Sequence, residues 1–301
     1  MRKIALAAMC MFAASVVQAG APDWSKVTER KFKLFYPGQA ALEWVMNEPD
    51  HSAVPDIVKK KRTCAKCHEG DANDVGDAIV AGKPVGQSKT VLEPKPPAGK
   101  GGWVQAKFKM AHDGEKLYVR VEWESPAAGG GKMDKKNEVK LTMLFDGGGT
   151  VEGAELNGCW ATCHTDLRTM KDAKNDKKTK YIANADLGSG KFYDLIQYRS
   201  GKGEKPIDGY VAEKRYMEGG KGLLKAEGGR EGKKWVVTFE RALVGGGKGD
   251  HAITAGKTYN FGFAIHEAFS EARYHHVSLG YQFGLDQAVE GVKNYYNVVK
   301  Q

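Results

Sequence analysis

Over residues 103–145 apolar and polar side chains alternate with a period of two. Val104, Ala106, Phe108 and Met110 are separated by Gln105, Lys107 and Lys109; Leu117, Val119, Val121 and Trp123 by Tyr118, Arg120 and Glu122; and Val139, Leu141, Met143 and Phe145 alternate with Lys140 and Thr142. Such alternation predicts strands with one buried and one wetter face. It returns at Trp235, Val237 and Phe239, at Tyr259, Phe261, Phe263 and Ile265, and at His275, Val277, Leu279 and Tyr281. Six or more strands separated by glycine-rich turns predict an antiparallel β-sandwich. Residues 24–92 read differently, as short helices and loops: Ala41, Leu42, Trp44 and Val45 form one apolar turn before Pro49, and Val75 to Ala81 another. That segment has too few apolar residues for a core of its own without a bound group. Between the two lies Glu93-Pro94-Lys95-Pro96-Pro97-Ala98-Gly99-Lys100-Gly101-Gly102, the best linker candidate in the chain.

The division expected is therefore a leader at 1–19, an N-terminal segment at 20–92, a Pro/Gly linker at 93–102 and a sandwich at 103–301. Arg2 and Lys3 precede an apolar run from Ile4 to Val17, and Val17-Gln18-Ala19 offers small residues for cleavage near Ala19. Export to the periplasm is expected. The run is too short to span a bilayer, no later segment reaches the roughly 18 apolar residues that a spanning helix needs, and Cys10 sits in a poor lipoprotein context. Without Arg2 and Lys3 the balance is 44 basic against 37 acidic residues, a net +7. That charge suits nucleic acid or an acidic protein, and export argues against nucleic acid. The triplets Gly129–Gly131, Gly147–Gly149 and Gly245–Gly247 lack the Lys-Ser or Lys-Thr of a phosphate loop and read as turns.

Four cysteines remain after the leader, in two pairs each followed by histidine: Cys64-Ala65-Lys66-Cys67-His68 and Cys159-Trp160-Ala161-Thr162-Cys163-His164. C-x-x-C-H attaches c-type haem, the sulfurs forming thioethers with the vinyl groups and the imidazole reaching the iron. The second motif carries one extra residue, which a slightly larger loop accommodates. Two disulfides would suit an oxidising compartment, and four cysteines could hold zinc, but neither explains the histidines. With 8 His in 301 residues, two such coincidences have a chance of roughly one in a thousand. Two covalently bound c-type haems are expected, with Cys64, Cys67, Cys159 and Cys163 as attachment points and His68 and His164 as proximal ligands.

Sixth ligands must come from other His or Met residues. For the first haem His51 is the leading candidate and Met46 the runner-up; a His/Met pair would raise the potential relative to His/His. For the second, His275 and His276 are neighbours on an expected strand and point to opposite faces, so only one can serve. His275 shares its face with Val277 and Leu279 and leads, followed by His276 and His266. His112, in a turn, and His251, in a glycine-rich loop, are expected to be exposed and unliganded. Met110 and Met143 are expected in the core. Lys59-Lys60-Lys61-Arg62 reads equally as a solvated run or as a patch steering an acidic redox partner.

The chain also resembles the haem-binding gamma subunits of periplasmic molybdenum enzymes of the dimethyl sulfoxide reductase type, such as that of ethylbenzene dehydrogenase, and especially their dihaem c-type relatives. The resemblance covers most of 102–290 and rests on Ala111-His112-Asp113-Gly114, on Phe192 to Arg199, on Trp235 to Leu243, and on Phe263-Ala264-Ile265-His266 with Arg273-Tyr274-His275-His276-Val277-Ser278. It implies an immunoglobulin-like sandwich, so that the fold expected is mainly β with a small, mostly α cytochrome c segment in front. Members hold haem b between Met and Lys; here His164 falls near the Met and His275–His276 near the Lys, so those ligands do not carry over. The function expected is a periplasmic dihaem carrier of single electrons between respiratory redox proteins, in anaerobic respiration, with a molybdoenzyme or a quinol-oxidising membrane cytochrome as partner and no catalytic residue. The alternatives are a dihaem enzyme with one open iron, of peroxidase or thiosulfate dehydrogenase type, and a haem-based sensor.

Overall fold

The computed structural model describes residues 21–125, 133–158, 160–170 and 181–301. The expected leader, the Gly129–Gly131 turn and Cys159 lie outside them. In chain order the elements are β1 (Arg30–Phe35), α1 (Leu42–Val45), α2 (Val54–Lys60), α3 (Cys64–His68), α4 (Ala72–Val80), β2 (Pro84–Val85), β3 (Thr90–Val91), β4 (Trp103–His112), β5 (Lys116–Glu124), β6 (Lys140–Asp146), α5 (Ala154–Asn157), α6 (Trp160–Cys163), β7 (Tyr193–Arg199), β8 (Ile207–Val211), β9 (Arg215–Tyr216), β10 (Leu223–Glu231), β11 (Lys234–Ala242), β12 (Tyr259–His266), β13 (His276–Ser278), β14 (Tyr281–Leu285) and β15 (Tyr295–Lys300). The protein is mainly β, with its short helices concentrated near the N-terminus, as the periodicity predicts.

One antiparallel ladder runs β10-β11-β5-β4 and continues through β1 and β13 into β12-β6-β7-β8-β9. β14 and β15 bridge β12 to β4 a second time, β15 in parallel register. The two faces close over one core. Its centre holds Phe108, Val121, Trp123, Val237 and Phe239 from one side and Phe145, Ile196, Phe261, Phe263 and Phe283 from the other. Val104, Ala106, Phe108 and Met110 are all buried, as the alternation requires, and Met143 is fully buried too.

One expectation is corrected, and one stretch holds strands that its periodicity does not predict. Residues 24–92 are not only helices and loops, because Arg30–Phe35 is a strand between β4 and β13, with Phe35 opposite both Trp103 and Val277. Its apolar-polar alternation is only a few residues long, too short to register. The stretch between β6 and Trp235 carries four strands, β7 to β10, beside the short α6. β7 was hidden because it is buried along nearly its whole length, so its sequence does not alternate; exposed β10 has little apolar content to reveal it.

The 93–102 segment is tied to its surroundings. Glu93 is fully buried, accepts a hydrogen bond from the Tyr36 hydroxyl at 2.6 Å and is gripped by Arg273 at 3.1 and 3.2 Å. The Gly102 carbonyl accepts from the Tyr36 amide at 2.7 Å. A second apolar cluster, including Phe35, Tyr36, Ala65, Ile79, Leu92, Trp160 and Leu279, joins the helices to the sheet. No helix among the described residues is long and apolar enough to cross a membrane.

Candidate haem centres

The first motif forms α3, started by Thr63, whose hydroxyl accepts from the Lys66 amide at 3.2 Å. Helical spacing places Cys64, Cys67 and His68, at i, i+3 and i+4, on one face. That face lines a cavity of about 280 Å³ whose other walls are almost wholly apolar, among them Phe35, Trp44, Ile57, Val75, Ile79 and Leu92. Gly86 belongs to the wall: its φ is +73°, and a Cβ there would lie 3.0 Å from the Trp44 ring and 2.9 Å from the Asp50 carbonyl.

Across the cavity, just before α2, stands His51. Its ring centroid is 6.0 Å from that of His68, with 33° between the planes. Two metal–imidazole bonds of about 2.0 Å each, with the depth of the two rings, bring centroids to about this separation. His68 Nδ1 lies 3.0 Å from Asp71 Oδ1, which orients the ring and makes Nε2 the nitrogen that can reach an iron. Burial, and then the neighbouring His68, hold His51 below the usual histidine range, so it is the neutral imidazole that ligation requires. His51 Nδ1 is buried without a hydrogen-bond partner. Met46, at the end of α1, does not line the cavity. Burial pushes the Cys64 thiol up to about 11, away from the thiolate a metal site would use. The donors and the apolar shape fit a haem.

Of the second motif, Trp160 to Cys163 form α6 and His164 lies in the turn after it. His164 is buried, and its Nδ1 is 2.8 Å from the Ala40 carbonyl. A carbonyl only accepts, so Nδ1 carries the proton and Nε2 is the ligating atom. The ring of His275 is 6.0 Å from that of His164, with 61° between planes, and its own Nδ1 donates to the Ala272 carbonyl at 2.8 Å. Burial first, then His266 and His164, hold His275 well below the ordinary range. Between β6, β12 and α6 is a cavity of about 50 Å³ lined by Thr142, Leu144, Trp160, Cys163, Gly262, Phe263, Ala264, His275 and Val277. Two imidazoles at ligand spacing beside a motif cysteine again fit the donor chemistry of a haem.

His276 faces elsewhere. Its Nε2 donates to the Gly101 carbonyl at 2.8 Å, its Nδ1 is 3.6 Å from Glu267, and it lines a separate cavity with Trp103 and Trp123. His266 lies 4.9 Å, ring to ring, from His275 and donates to the same Ala272 carbonyl at 3.1 Å. The expectation that His112 and His251 are exposed is corrected. His112 is buried with Nε2 2.9 Å from Asp286 Oδ2. His251 is buried against Phe192, ring to ring at 3.8 Å, and donates to its carbonyl at 2.8 Å. His112 is the last residue of β4, paired with β5 and β15, and the His251 loop folds back onto the sandwich, which loop composition does not reveal. Lys59–Arg62 is exposed beside α3, with Lys60 and Arg62 paired to Asp56 at 2.8 and 3.0 Å.

Sequence reasoning missed the groups that aim the histidines: the Asp71 carboxylate and the carbonyls of Ala40 and Ala272. It also missed Trp160, which lines both cavities and stands with its ring 6.2 Å from Phe35 and 6.0 Å from His164. Its place inside the second motif was the available signal. Among the described residues no cysteine belongs to a group able to hold a metal by side chains alone, and Cys64 and Cys163 line different cavities, unlike the arrangement a shared zinc would need.

No family model matches the chain. It is 45% identical over 284 residues to cytochrome c-552 of Stutzerimonas stutzeri, covering 94% of each protein. It is 32% identical over 273 residues to cytochrome c-551 of Rhodocyclus tenuis, covering 89% of this chain and 96% of that one. A family 9 carbohydrate-binding module from Caldicellulosiruptor kristjanssonii, solved with cellotriose, is superficially similar, with 13% identity and a TM-score of 0.29 over 59% of this chain and 65% of its own. With motif cysteines and facing histidines beside apolar cavities, and near full-length likeness to two named cytochromes, the chain belongs to the c-type cytochromes, electron carriers with covalently bound haem.

Proposed function

We propose that this cytochrome carries two haems, both six-coordinate through paired histidines, and passes single electrons between redox proteins of the periplasm. The observation that carries this reading is the recurrence of one arrangement: His51 with His68, and His164 with His275, each with ring centroids 6.0 Å apart beside a cysteine motif. Haem, when bound, supplies the one-electron ferric–ferrous couple. The protein's part is to hold its ligands. Asp71, Ala40 and Ala272 fix His68, His164 and His275 through Nδ1, so each ring keeps one orientation in both redox states. The apolar walls exclude water, which keeps the surroundings from rearranging around a changed charge. Trp160 stands in the wall common to both cavities and gives an electron a short packed route between them.

The unit 20–92 supplies the first site and 103–301 the sandwich with the second, joined by 93–102, with β1 as the element they share. The leader is cleaved near Ala19. The Lys59–Arg62 run beside the first motif guides an acidic partner to that site. The resemblance of 102–290 to molybdoenzyme gamma subunits supports a molybdenum oxidoreductase as the partner in anaerobic respiration.

Mass spectrometry of the denatured holoprotein tests the haem count. Two haem additions are expected, reduced to one in either Cys64→Ala or Cys159→Ala. A single addition in the unmodified protein, with Cys159 and Cys163 joined as a disulfide, would overturn the second site.

A further inference from the structure

Away from the two candidate haem centres, three carboxylates, one buried and two half-buried, meet beside β7 and β8. Asp194 on β7, Asp208 on β8 and Asp250 in the loop after β11 each bring one oxygen within 4.8 Å of the other two. One oxygen of every pair is pinned. Asp194 Oδ2 accepts from Arg241 Nη2 at 2.6 Å and the His251 amide at 3.0 Å. Asp208 Oδ2 accepts from the Leu223 amide at 2.8 Å. Asp250 Oδ2 accepts from the amides of Lys221 at 2.8 Å and Gly247 at 2.5 Å.

The second oxygen, Oδ1 in all three, is buried with no hydrogen-bond partner. Asp194 is itself 0% exposed. A buried anionic oxygen without a partner is costly, and three in one place cost more, because like charges at this range repel. Gly220 sits against two of them: a Cβ there would be 2.2 Å from Asp208 Oδ1 and 2.8 Å from Asp250 Oδ1. The chain thus leaves out a side chain where the free oxygens of Asp208 and Asp250 approach each other.

The neighbouring cation does not close the account. Arg241 is fully buried, is bonded to Asp194 and to the carbonyls of Ala242 and His251, and lies over the Phe145 ring at 4.9 Å. Three carboxylates and one guanidinium leave two negative charges, which one divalent ion would neutralise. Burial is the main reason Asp194 is pushed up to about 7, with Asp250 adding to it, so without a cation the cluster draws in a proton instead.

We propose that Asp194, Asp208 and Asp250 form a calcium site that fastens β7, β8 and the loops around Gly220 and Asp250 to one another. An all-oxygen donor set selects a hard cation. Magnesium keeps most of its waters, demands near-octahedral order and is usually held by one or two carboxylates, whereas calcium accepts several carboxylates in flexible geometry. Water fills the rest of the six to eight positions calcium takes. None of the three residues lines either haem cavity, so the role is structural and independent of the electron-transfer reading.

The test uses the full, haem-loaded protein after dialysis against a chelator. Titration with CaCl2 followed by calorimetry should show one ion bound per chain, and calcium in 100-fold excess over its Kd should raise the melting temperature by several degrees. Asp208→Asn should weaken calcium binding at least tenfold while the visible haem spectrum stays unchanged. Asp250→Asn repeats the test if Asp208→Asn fails to accumulate. An unmodified protein that melts at one temperature in chelator and in calcium, variants that keep the calcium response, or an equal response to MgCl2 would each overturn the assignment.

Discussion

The two candidate haem centres are built on different principles. The first takes His51, Cys64, Cys67 and His68 from 18 consecutive residues, and its ligands hang on short helices around a roomy apolar cavity of about 280 Å³. The second brings His164 to His275 across 111 positions, and its cavity of about 50 Å³ is cut into the sandwich between β6, β12 and α6. Loop length is not what separates them: closing a flexible loop of 111 residues instead of 17 costs only about 1.7 kcal/mol more. The difference is in what holds the sixth ligand. His51 depends on a few local turns, whereas His275 is held by its carbonyl contact at Ala272 and by β13, which begins at the next residue and is paired on both sides. A site made of neighbours can form early and loosen alone; one made by the sheet stands or falls with the sheet.

The sharpest way to break this comparison is to remove each sixth ligand in turn. His275→Ala should turn only the second haem high-spin and open it to carbon monoxide, while His276→Ala, on the opposite face, leaves its spin state alone. His51→Ala should do the same at the first haem only, and Met46→Leu should change neither. Visible spectra with and without carbon monoxide read both pairs. A first haem that responds to Met46→Leu and not to His51→Ala would reverse the assignment there.

Next in size is the joint between the centres. Glu93→Gln removes the charge that grips Arg273, two residues before His275. Glu93 is buried and Arg273 a third exposed, so breaking this half-buried pair costs about 2 kcal/mol and denaturant melts should show a lower midpoint. The second haem should lose low-spin character at lower denaturant than in the unmodified protein. Loss at the first haem alone would show that 93–102 does not carry strain from one centre to the other.

The smallest effect expected is at Asp71. Asp71→Asn withdraws the carboxylate behind His68 Nδ1, making the imidazole a poorer donor to ferric iron. A modest rise in the potential of the first haem, with the second unmoved, should appear in a redox titration.

Much of this was legible in the sequence, and unevenly. The cysteine–histidine spacing pointed to the two candidate attachment motifs, and strict alternation at Val104–Met110 and Leu117–Trp123 foretold strands that face the core. The period of two also distinguished His275 from His276, which do point to different cavities. Hidden from it were elements whose pattern is erased by their surroundings: β7 buried on both faces, β10 exposed on the edge, and β1 too short to show a period. Buried polar groups were hidden for another reason. Glu93, Arg241 and Asp194 look like surface charges until the partners that neutralise them, from distant segments, are brought alongside. Trp160 looked like a spacer inside a motif, and only the folded chain puts it in the wall of two cavities.

The central claim is that both centres are closed by paired histidines. Electron paramagnetic resonance of the oxidised holoprotein tests it most directly. Two low-spin ferric signals of equal intensity, with no high-spin component, are expected from His51–His68 and His164–His275 ligation. A high-spin signal amounting to one iron per chain, lost on adding cyanide, would contradict it and point to a haem with an open site.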